Sequence, residues 1–159
     1  MNTLLVAIDF SAGSRKALAV AWSLAGHLGC DVTVVHVRAT PTVPTPPAAA
    51  IDTAQAELVW DGLVHEKERL TSLRRELERF LAGLEGVARP SRVVLRSGRP
   101  SEAIVQAADA LDARMIVMST HGRRGLARAF LGSTTEEVVR KARCAVLTLK
   151  PDSPLPVRG

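Results

Sequence analysis

Five short apolar runs constrain the fold of this 159-residue chain more than any other feature. They read LLVAI at 4–8, VTVVHV at 32–37, RVVLR at 92–96, MIVM at 115–118 and AVLTL at 145–149. Most of them are continuously apolar and rich in Val and Ile, which is typical of parallel strands covered on both faces. We therefore expect five strands in one parallel sheet.

The segments between the runs have helical spacing. Leu18 and Ala25 fall on one face of a helix after the first run, and Gly29 is predicted as its C-terminal cap. Ser101 is predicted as the N-cap of another helix, whose inward face carries Ile104. Right-handed helical crossovers cover both faces of a parallel sheet. The alternation predicts an α/β fold, a doubly wound five-stranded parallel sheet in an α/β/α sandwich.

The second crossover is the longest. Residues 38–60 are rich in Pro and Ala and are predicted as a surface loop, because proline cannot donate a backbone hydrogen bond. A leucine stripe over residues 63–84 predicts an amphipathic helix after it. We expect one domain over 1–150 and a loose proline-rich tail over 151–159.

The amino-acid composition limits the classes of partner that we expect the chain to bind. The 21 Lys and Arg residues exceed the 16 Asp and Glu residues, and a formal charge of +5 favours polyanions such as nucleotides. Aromatic residues are only 3%, which argues against a nucleic acid partner held by stacking. Cys30 and Cys144 show no disulfide framework or metal-ligand spacing, and the first apolar run is too short for a signal peptide or a membrane span. We expect a cytoplasmic protein with no metal site and no membrane contact.

Ligands of such sheets bind at the carboxyl ends of the strands, where the strand order reverses. Asp9 follows the first strand, and its carboxylate suits hydrogen bonds from ribose hydroxyls. The same carboxylate also suits the start of the following helix. Both interpretations of Asp9 stay open on the sequence.

The stretch STHGRRGLARAFLGST at 119–134 follows the fourth strand. Glycines such as Gly122 and Gly132 let a backbone approach a phosphate closely, and a helix N-terminus presents N–H groups to an anion. The segment from Ser133 to Glu136 also matches the capping box S-x-x-E, with Gly132 only allowing a turn. Phosphate binding and helix capping are both compatible with these residues.

With these motifs the chain resembles the universal stress proteins over essentially its whole length. The resemblance rests on VAIDFS and VTVVHV at strands one and two, SGRPSEAIVQAA around strand three, and residues 112–150 through strands four and five. It implies the strand order 3-2-1-4-5 of the adenine nucleotide alpha hydrolase-like folds. It also implies a homodimer through strand five, 145–149, which lies at a sheet edge in that order.

The nucleotide-binding branch of that family carries the pattern G-x2-G-x9-G-(S/T). Gly122 and Gly132 match its second and third glycines, and Ser133 matches its hydroxyl position. Ser119 stands in place of the first glycine. Serine is small and keeps its N–H, so a close backbone approach is hindered there rather than abolished. Gly125 lies between the motif glycines and is not one of them.

The resemblance also implies a set of nucleotide-binding residues. Asp9 would hold the ribose, the backbone of Val37 would read the adenine edge, and the segments after strand four would surround the ribose and phosphates. The full set is Ala7, Ile8, Asp9, Val37, Met118, Ser119, His121, Gly122, Gly132, Ser133, Thr134 and Thr135. The implied ligand is ATP, with ADP or AMP as alternatives, and Mg²⁺ would enter with the nucleotide, held by its phosphates and water. Arg123, Arg124 and Arg128 lie in the same loop, where they are either phosphate partners or solvated surface charges.

Together these features predict an ATP-binding regulatory module of the stress response, with at most slow ATP hydrolysis or autophosphorylation. We assign no catalytic residue, because no nucleophile is paired with a general base in the motifs. The alternative is a nucleotide-free dimeric scaffold that acts through protein contacts. A hydrolase of the related adenine-nucleotide type is a third hypothesis, although its glycine-serine loop is absent.

Overall fold

The computed structural model describes residues 2–39, 71–83, 90–120 and 131–150. Its strands are β1 (Thr3–Ile8), β2 (Asp31–Ala39), β3 (Arg92–Gly98), β4 (Ala113–Ser119) and β5 (Ala145–Leu149). Its helices include α1 (Ala12–Leu28), α3 (Pro100–Ala110) and α4 (Ser133–Lys141), and we label the helical residues 71–82 α2. All five predicted strands are present.

The strands form one parallel sheet in the order β3-β2-β1-β4-β5. β1 lies at the centre, and Ala7 is in register with Val35 of β2 on one side and with Met118 of β4 on the other. The chain fills the sheet outward from β1 in one direction through β2 and β3, and in the other through β4 and β5. The predicted doubly wound fold and its strand order are confirmed.

Each face of the sheet is covered by different helices. Leu5, Val35 and Ile116 belong to a core cluster with Ile104 of α3 and Val138 of α4. Side chains alternate along a strand, so their neighbours point to the opposite face. That face is covered by α1, which packs against β1, β2 and β4 and buries Ala17, Leu18 and Ala21 completely. The continuously apolar strands follow from this two-sided cover.

The ends of α1 are fixed by local hydrogen bonds. The Ser11 side chain is the N-cap and accepts a hydrogen bond of 3.2 Å from the Ser14 N–H. Gly29 ends the helix in the left-handed conformation, with φ at 61°, and donates its N–H to the Ala25 carbonyl. The prediction of Gly29 as C-terminal cap is confirmed, since this conformation favours glycine.

The prediction of Ser101 as the N-cap of α3 is wrong. The helix begins at Pro100, with Arg99 as the N-cap residue. Proline suits the first helical position because its φ is already helical and its missing N–H would have no partner inside the helix. The Ser101 hydroxyl instead lies inside the protein, where it bonds to Glu137 of α4.

The second crossover is described only in part. β2 continues through Ala39, so the loop predicted from residue 38 begins two residues too early, and residues 40–60 lie outside the described residues. α2 confirms the later part of the predicted helix, whereas its start and the tail at 151–159 lie outside them. The chain divides into two compact units, Met1–Pro41 with Gly86–Gly159, and Thr42–Glu85. A single domain over 1–150 stays a prediction.

Among the described residues, none of the helices combines the length and the apolar character that a membrane span requires.

Ile116 tests the buried sheet most directly. Its side chain is completely buried in the core cluster. We expect Ile116→Ala to lower the free energy of unfolding by about 2–5 kcal/mol, because the lost methyl groups leave a cavity. Urea denaturation measures this change. Val139→Ala is the control, since Val139 is 48% exposed on α4, and an equal loss in both variants would contradict the core assignment.

Candidate functional site

A cavity of about 160 Å³ opens at the carboxyl edge of the sheet, where the strand order reverses between β1 and β4. Strands β1, β2 and β4 and helices α1, α3 and α4 contribute to its wall. The lining residues are Ala7, Ile8, Asp9, Ser14, Val35, Val37, Pro100, Ile104, Met118, Ser119, Thr134 and Thr135. The cavity adjoins the core cluster on the face of the sheet that α3 and α4 cover, and several residues of that cluster line it.

The wall of the cavity is apolar on the sheet side and polar at the loops. Ala7, Val37 and Met118 extend the core cluster to the edge of the sheet. Asp9 comes from the β1–α1 connection, Ser14 from the first turn of α1 and Thr134 from the first turn of α4. A ligand that fits this wall has one flat or apolar part and one part rich in hydrogen-bonding groups.

Asp9 is anchored by the start of α1. Its Oδ1 accepts hydrogen bonds from the Ser14 hydroxyl at 2.6 Å and from the Ser11 N–H at 3.1 Å. The Ser14 hydroxyl also accepts a bond of 2.9 Å from the Asp9 N–H. This ring of bonds fixes the orientation of the carboxylate at the cavity wall, and Ser11, rather than Asp9, is the N-cap of α1.

Phe10, in the connection between β1 and α1, packs against β2 through its ring. It is not a glycine, yet its φ is 64°, in the left-handed region that side chains rarely adopt. Its ring lies 4.5 Å from the His36 ring between centroids. The His36 Nδ1 donates to the Ile8 carbonyl at 2.8 Å, so this nitrogen carries the proton. His36 is buried in the protein.

The end of β4 is joined to the end of β5. The Leu149 carbonyl accepts hydrogen bonds from the Thr120 N–H at 2.9 Å and from the Thr120 hydroxyl at 3.3 Å. The Ser119 hydroxyl contacts the same carbonyl at 3.5 Å, and the Ser119 carbonyl accepts a bond of 3.1 Å from the Thr135 hydroxyl. The Ser119 side chain is therefore directed to β5.

Gly132 directly precedes α4 and lies close to the backbone of Thr120. Its N–H donates to the Thr120 carbonyl at 3.0 Å, and a Cβ at this position would lie 3.0 Å from the same oxygen. Gly132 is itself the N-cap residue, and no side chain of the described residues caps the helix. The predicted capping box is therefore wrong: Ser133 is already the first helical residue, because the Thr120 carbonyl fixes Gly132 before it.

The cavity brings together eight of the twelve residues predicted for nucleotide binding. These are Ala7, Ile8, Asp9, Val37, Met118, Ser119, Thr134 and Thr135. Gly132 and Ser133 stand at the beginning of α4 but not in the lining. His121 and Gly122 lie outside the described residues, as do Gly125, Arg123, Arg124 and Arg128.

Four further residues line the cavity that the motifs did not predict: Ser14, Val35, Pro100 and Ile104. Ser14 carries a recognisable signal, because it follows the cap residue Ser11 by three positions at the edge of the sheet. Pro100 also carries one, since it follows β3 at the same edge. Val35 and Ile104 have no such signal, because the sequence pattern indicates only that they are core residues.

A group of charged side chains joins the beginning of α3 to α4. The Glu137 carboxylate accepts hydrogen bonds from Arg99 at 2.7 Å, from Ser101 at 2.8 Å and from Lys141 at 3.3 Å. Glu102 contacts Arg99 at 3.4 Å and Lys141 at 3.9 Å. The Ser101 hydrogen bond, with the two cations beside it, holds the pKa of Glu137 below its ordinary value.

The described residues contain no group of three or more His, Cys, Asp or Glu side chains that could hold a metal ion. Cys144 is partly buried against the core cluster, and this burial raises the pKa of its thiol. These surroundings suit a packing role.

Comparison with known proteins gives one consistent family. The model of the universal stress protein family matches residues 1–150. The "universal stress protein in QAH/OAS sulfhydrylase 3'region" of Thermus aquaticus is 35% identical over 149 residues, which cover 94% of this chain and 98% of the relative. The solved structure of hypothetical protein MJ0577 has the same fold, with a TM-score of 0.67, 24% identity and coverage of 96% and 98% of the two chains.

Two solved structures of universal stress proteins were determined as nucleotide complexes. One is a complex with cAMP, with a TM-score of 0.55, 20% identity and coverage of 95% of this chain and 98% of the other. The second, from Archaeoglobus fulgidus, is a complex with dAMP, with a TM-score of 0.51, 23% identity and coverage of 93% and 97%. At these identities the similarity establishes a shared fold.

Glu137 should make the stability of the protein depend on acid pH. Because its native pKa is lowered, its stabilising effect is complete above the ordinary pKa of 4.5 and is lost as pH falls through the lowered native value. We expect Glu137→Gln to be less stable than the unmodified protein at pH 7, and this difference to disappear towards pH values well below 4.5. Urea denaturation across this pH range measures it.

Glu136→Gln is the matched control, since Glu136 is the exposed neighbour on α4 and its side chain bonds to none of the described residues. A difference between Glu137→Gln and the unmodified protein that persists unchanged at the lowest pH would contradict this prediction.

Proposed function

The chain belongs to the universal stress protein family, and we propose that it is an ATP-binding regulatory module of the stress response, located in the cytoplasm. Nucleotide occupancy would stabilise one conformation or assembly, since a ligand that binds only the native form raises its stability. Hydrolysis or autophosphorylation would be slow, and we assign no catalytic residue.

The observation that carries this proposal is the cavity at the switch point, with Asp9 oriented in its wall by Ser14. In doubly wound sheets this crevice is the usual ligand site, and a carboxylate there binds ribose hydroxyls. The apolar side chains of Ala7, Val37 and Met118 would contact the base, and the backbone of Val37 would bond to its edge. The two nucleotide complexes of family members, with cAMP and dAMP, support an adenine nucleotide as the ligand class.

The beginning of α4 suits the phosphates. No side chain of the described residues caps this helix, and Thr134 and Thr135 of its first turn line the cavity. Free N–H groups and the partial positive charge of a helix N-terminus attract phosphate oxygens. We propose that Gly132 and Ser133 approach the phosphates here, together with His121 and Gly122. Mg²⁺ would bind mainly to the phosphates and water.

Ser119 is compatible with this proposal although the family pattern has glycine there. Its hydroxyl is directed to the Leu149 carbonyl of β5, and its carbonyl is held by Thr135. Ser119 lines the cavity, and the contact with Leu149 holds its hydroxyl towards β5. This supports binding of a nucleotide with Ser119 in place.

Asp9→Asn tests the site with little disturbance of the fold. An asparagine oxygen can still accept the bonds from Ser14 and Ser11, whereas the second carboxylate oxygen becomes an amide donor. We expect Mg-ATP affinity to fall about tenfold or more, as for loss of a hydrogen bond to a charged group, with little change in the melting temperature of the ligand-free protein. Isothermal titration calorimetry and thermal denaturation measure the two quantities.

The protein should also be purified without added nucleotide, denatured, and its supernatant examined by mass spectrometry. Stoichiometric ATP, ADP or AMP in the supernatant supports the proposal. An empty protein with no thermal shift in millimolar Mg-ATP contradicts it and favours the nucleotide-free scaffold.

We further propose that two copies of the chain pair through β5. This strand lies at the edge of the sheet, and Val146, Leu147, Thr148 and Leu149 are each only partly buried in the isolated chain. An edge strand exposes unpaired backbone groups, and a second copy related by a twofold axis would satisfy them. The same pairing would serve the alternative function as a dimeric scaffold.

Leu147→Lys tests the dimer. Leu147 is the middle residue of β5, so antiparallel pairing about its centre would bring two lysines opposite each other, which is unfavourable. We expect a dimer in the unmodified protein at micromolar concentration and a monomer in this variant, as measured by analytical ultracentrifugation. Val93→Lys on β3, the opposite edge, is the control and should leave the dimer intact. A monomeric unmodified protein would contradict the proposal.

A further inference from the structure

Pro100 and Thr134 face the same cavity from two different helices, α3 and α4. The residues on either side of Pro100 are both bonded to one carboxylate of α4. Arg99 donates to Glu137 Oε1 at 2.7 Å, and Ser101 donates to Glu137 Oε2 at 2.8 Å. Each oxygen of Glu137 therefore holds one neighbour of a cavity residue.

The bond between Ser101 and Glu137 is the best protected of the group. Ser101 is only 2% exposed and the Glu137 side chain is 19% exposed, so water competes little for this bond, whereas the Arg99 side chain is 54% exposed and its bond is weakened by solvent. Lys141 approaches the same carboxylate at 3.3 Å from the next turn of α4, and Glu102 joins both cations. Buried polar groups in a fully bonded network hold their geometry tightly, and loss of one member leaves others without partners.

Glu137 also lies one turn after Thr134 on α4. Residues three positions apart share one face of a helix, so the carboxylate and the cavity residue lie on the same side of α4. A shift of α4 away from α3 would break the bonds of Glu137 and widen the cavity between Pro100 and Thr134 at the same time.

We infer that Glu137 is a positioning residue of the nucleotide site, whose bonds to Arg99 and Ser101 hold the first turns of α3 and α4 at the distance that the ligand requires. The inference rests on the proposed function for its ligand. Glu137 itself does not line the cavity. Glu137 acts on the ligand indirectly, by setting the distance between Pro100 of α3 and Thr134 of α4.

Charge alone predicts the opposite effect. A carboxylate near the phosphate end of the site repels phosphates, so its removal would strengthen ATP binding if Glu137 acted only through its field. Glu136 carries the same charge on the neighbouring residue and bonds through its side chain to none of the described residues. Glu137→Gln and Glu136→Gln thus remove equal charges, and only the former disturbs the bonds to α3, because one of the two accepting oxygens becomes an amide donor.

The test is titration calorimetry of the full chain with Mg-ATP and with adenosine at pH 7.5. We expect Glu137→Gln to weaken both ligands by a similar factor of about ten, and Glu136→Gln to leave both within about twofold. Adenosine has no phosphate, so a loss shared by both ligands identifies a change in cavity shape. Stronger ATP binding in Glu137→Gln, or equal effects of the two variants, would overturn the inference.

Ser101→Ala gives a second, smaller perturbation. It should weaken both ligands in the same direction, and the loss in the double variant with Glu137→Gln should be smaller than the sum of the two single losses, because both changes break one network. Additive losses would overturn the inference.

Hydrogen exchange of the ligand-free protein separates this inference from the proposed function. We expect faster exchange in Glu137→Gln at the first turns of α3 and α4, with α1 and the Glu136→Gln variant unchanged. Unchanged exchange at these turns would overturn the positioning role whether or not ATP binds. Faster exchange together with no ATP binding by the unmodified protein would contradict the proposed function and leave the link between α3 and α4 established.

Discussion

The pairing of β1 with β2 on one side and with β4 on the other determines where everything else in the structure lies. Parallel neighbours require crossovers, and right-handed crossovers leave α1 on one face and α3 and α4 on the other. All three helices begin at the carboxyl edge of the sheet, because each follows a strand. The cavity lies at this edge, lined by the ends of the strands and the beginnings of the three helices.

The cavity is lined partly by strand residues and partly by residues at the beginnings of the helices, and the two groups differ in polarity. The strands supply apolar side chains that are continuous with the core, while the helix beginnings supply a carboxylate, hydroxyls and backbone N–H groups. Polar groups at such a position must be satisfied or they destabilise the fold. The bonds around Asp9 and Glu137 meet this requirement, and they also fix the directions in which the remaining polar groups point.

Most of the fold could be predicted from the sequence because buried parallel strands are continuously apolar, and Asp9 could be placed because it follows such a strand. The helix caps at Ser101 and Ser133 could not be predicted. Pro100 moved the start of α3, and the Thr120 carbonyl fixed Gly132 as the residue before α4. The start of α3 had a local signal in Pro100 that the capping motif did not include, whereas the start of α4 depends on a contact across the fold. The bond between Ser101 and Glu137 joins residues 36 positions apart and has no local signal.

The contact between Gly132 and the Thr120 carbonyl changes how the glycine motif is to be used for classification. A side chain at 132 would meet this oxygen at 3.0 Å whether or not a nucleotide is present. Glycine at this position therefore relieves a tight backbone contact within the fold itself, in addition to any role towards a ligand. Gly132 is a marker of the turn into α4. Under the proposed function, Asp9 and Thr134, whose side chains line the cavity, would be more direct criteria than Gly132 for recognising a nucleotide site.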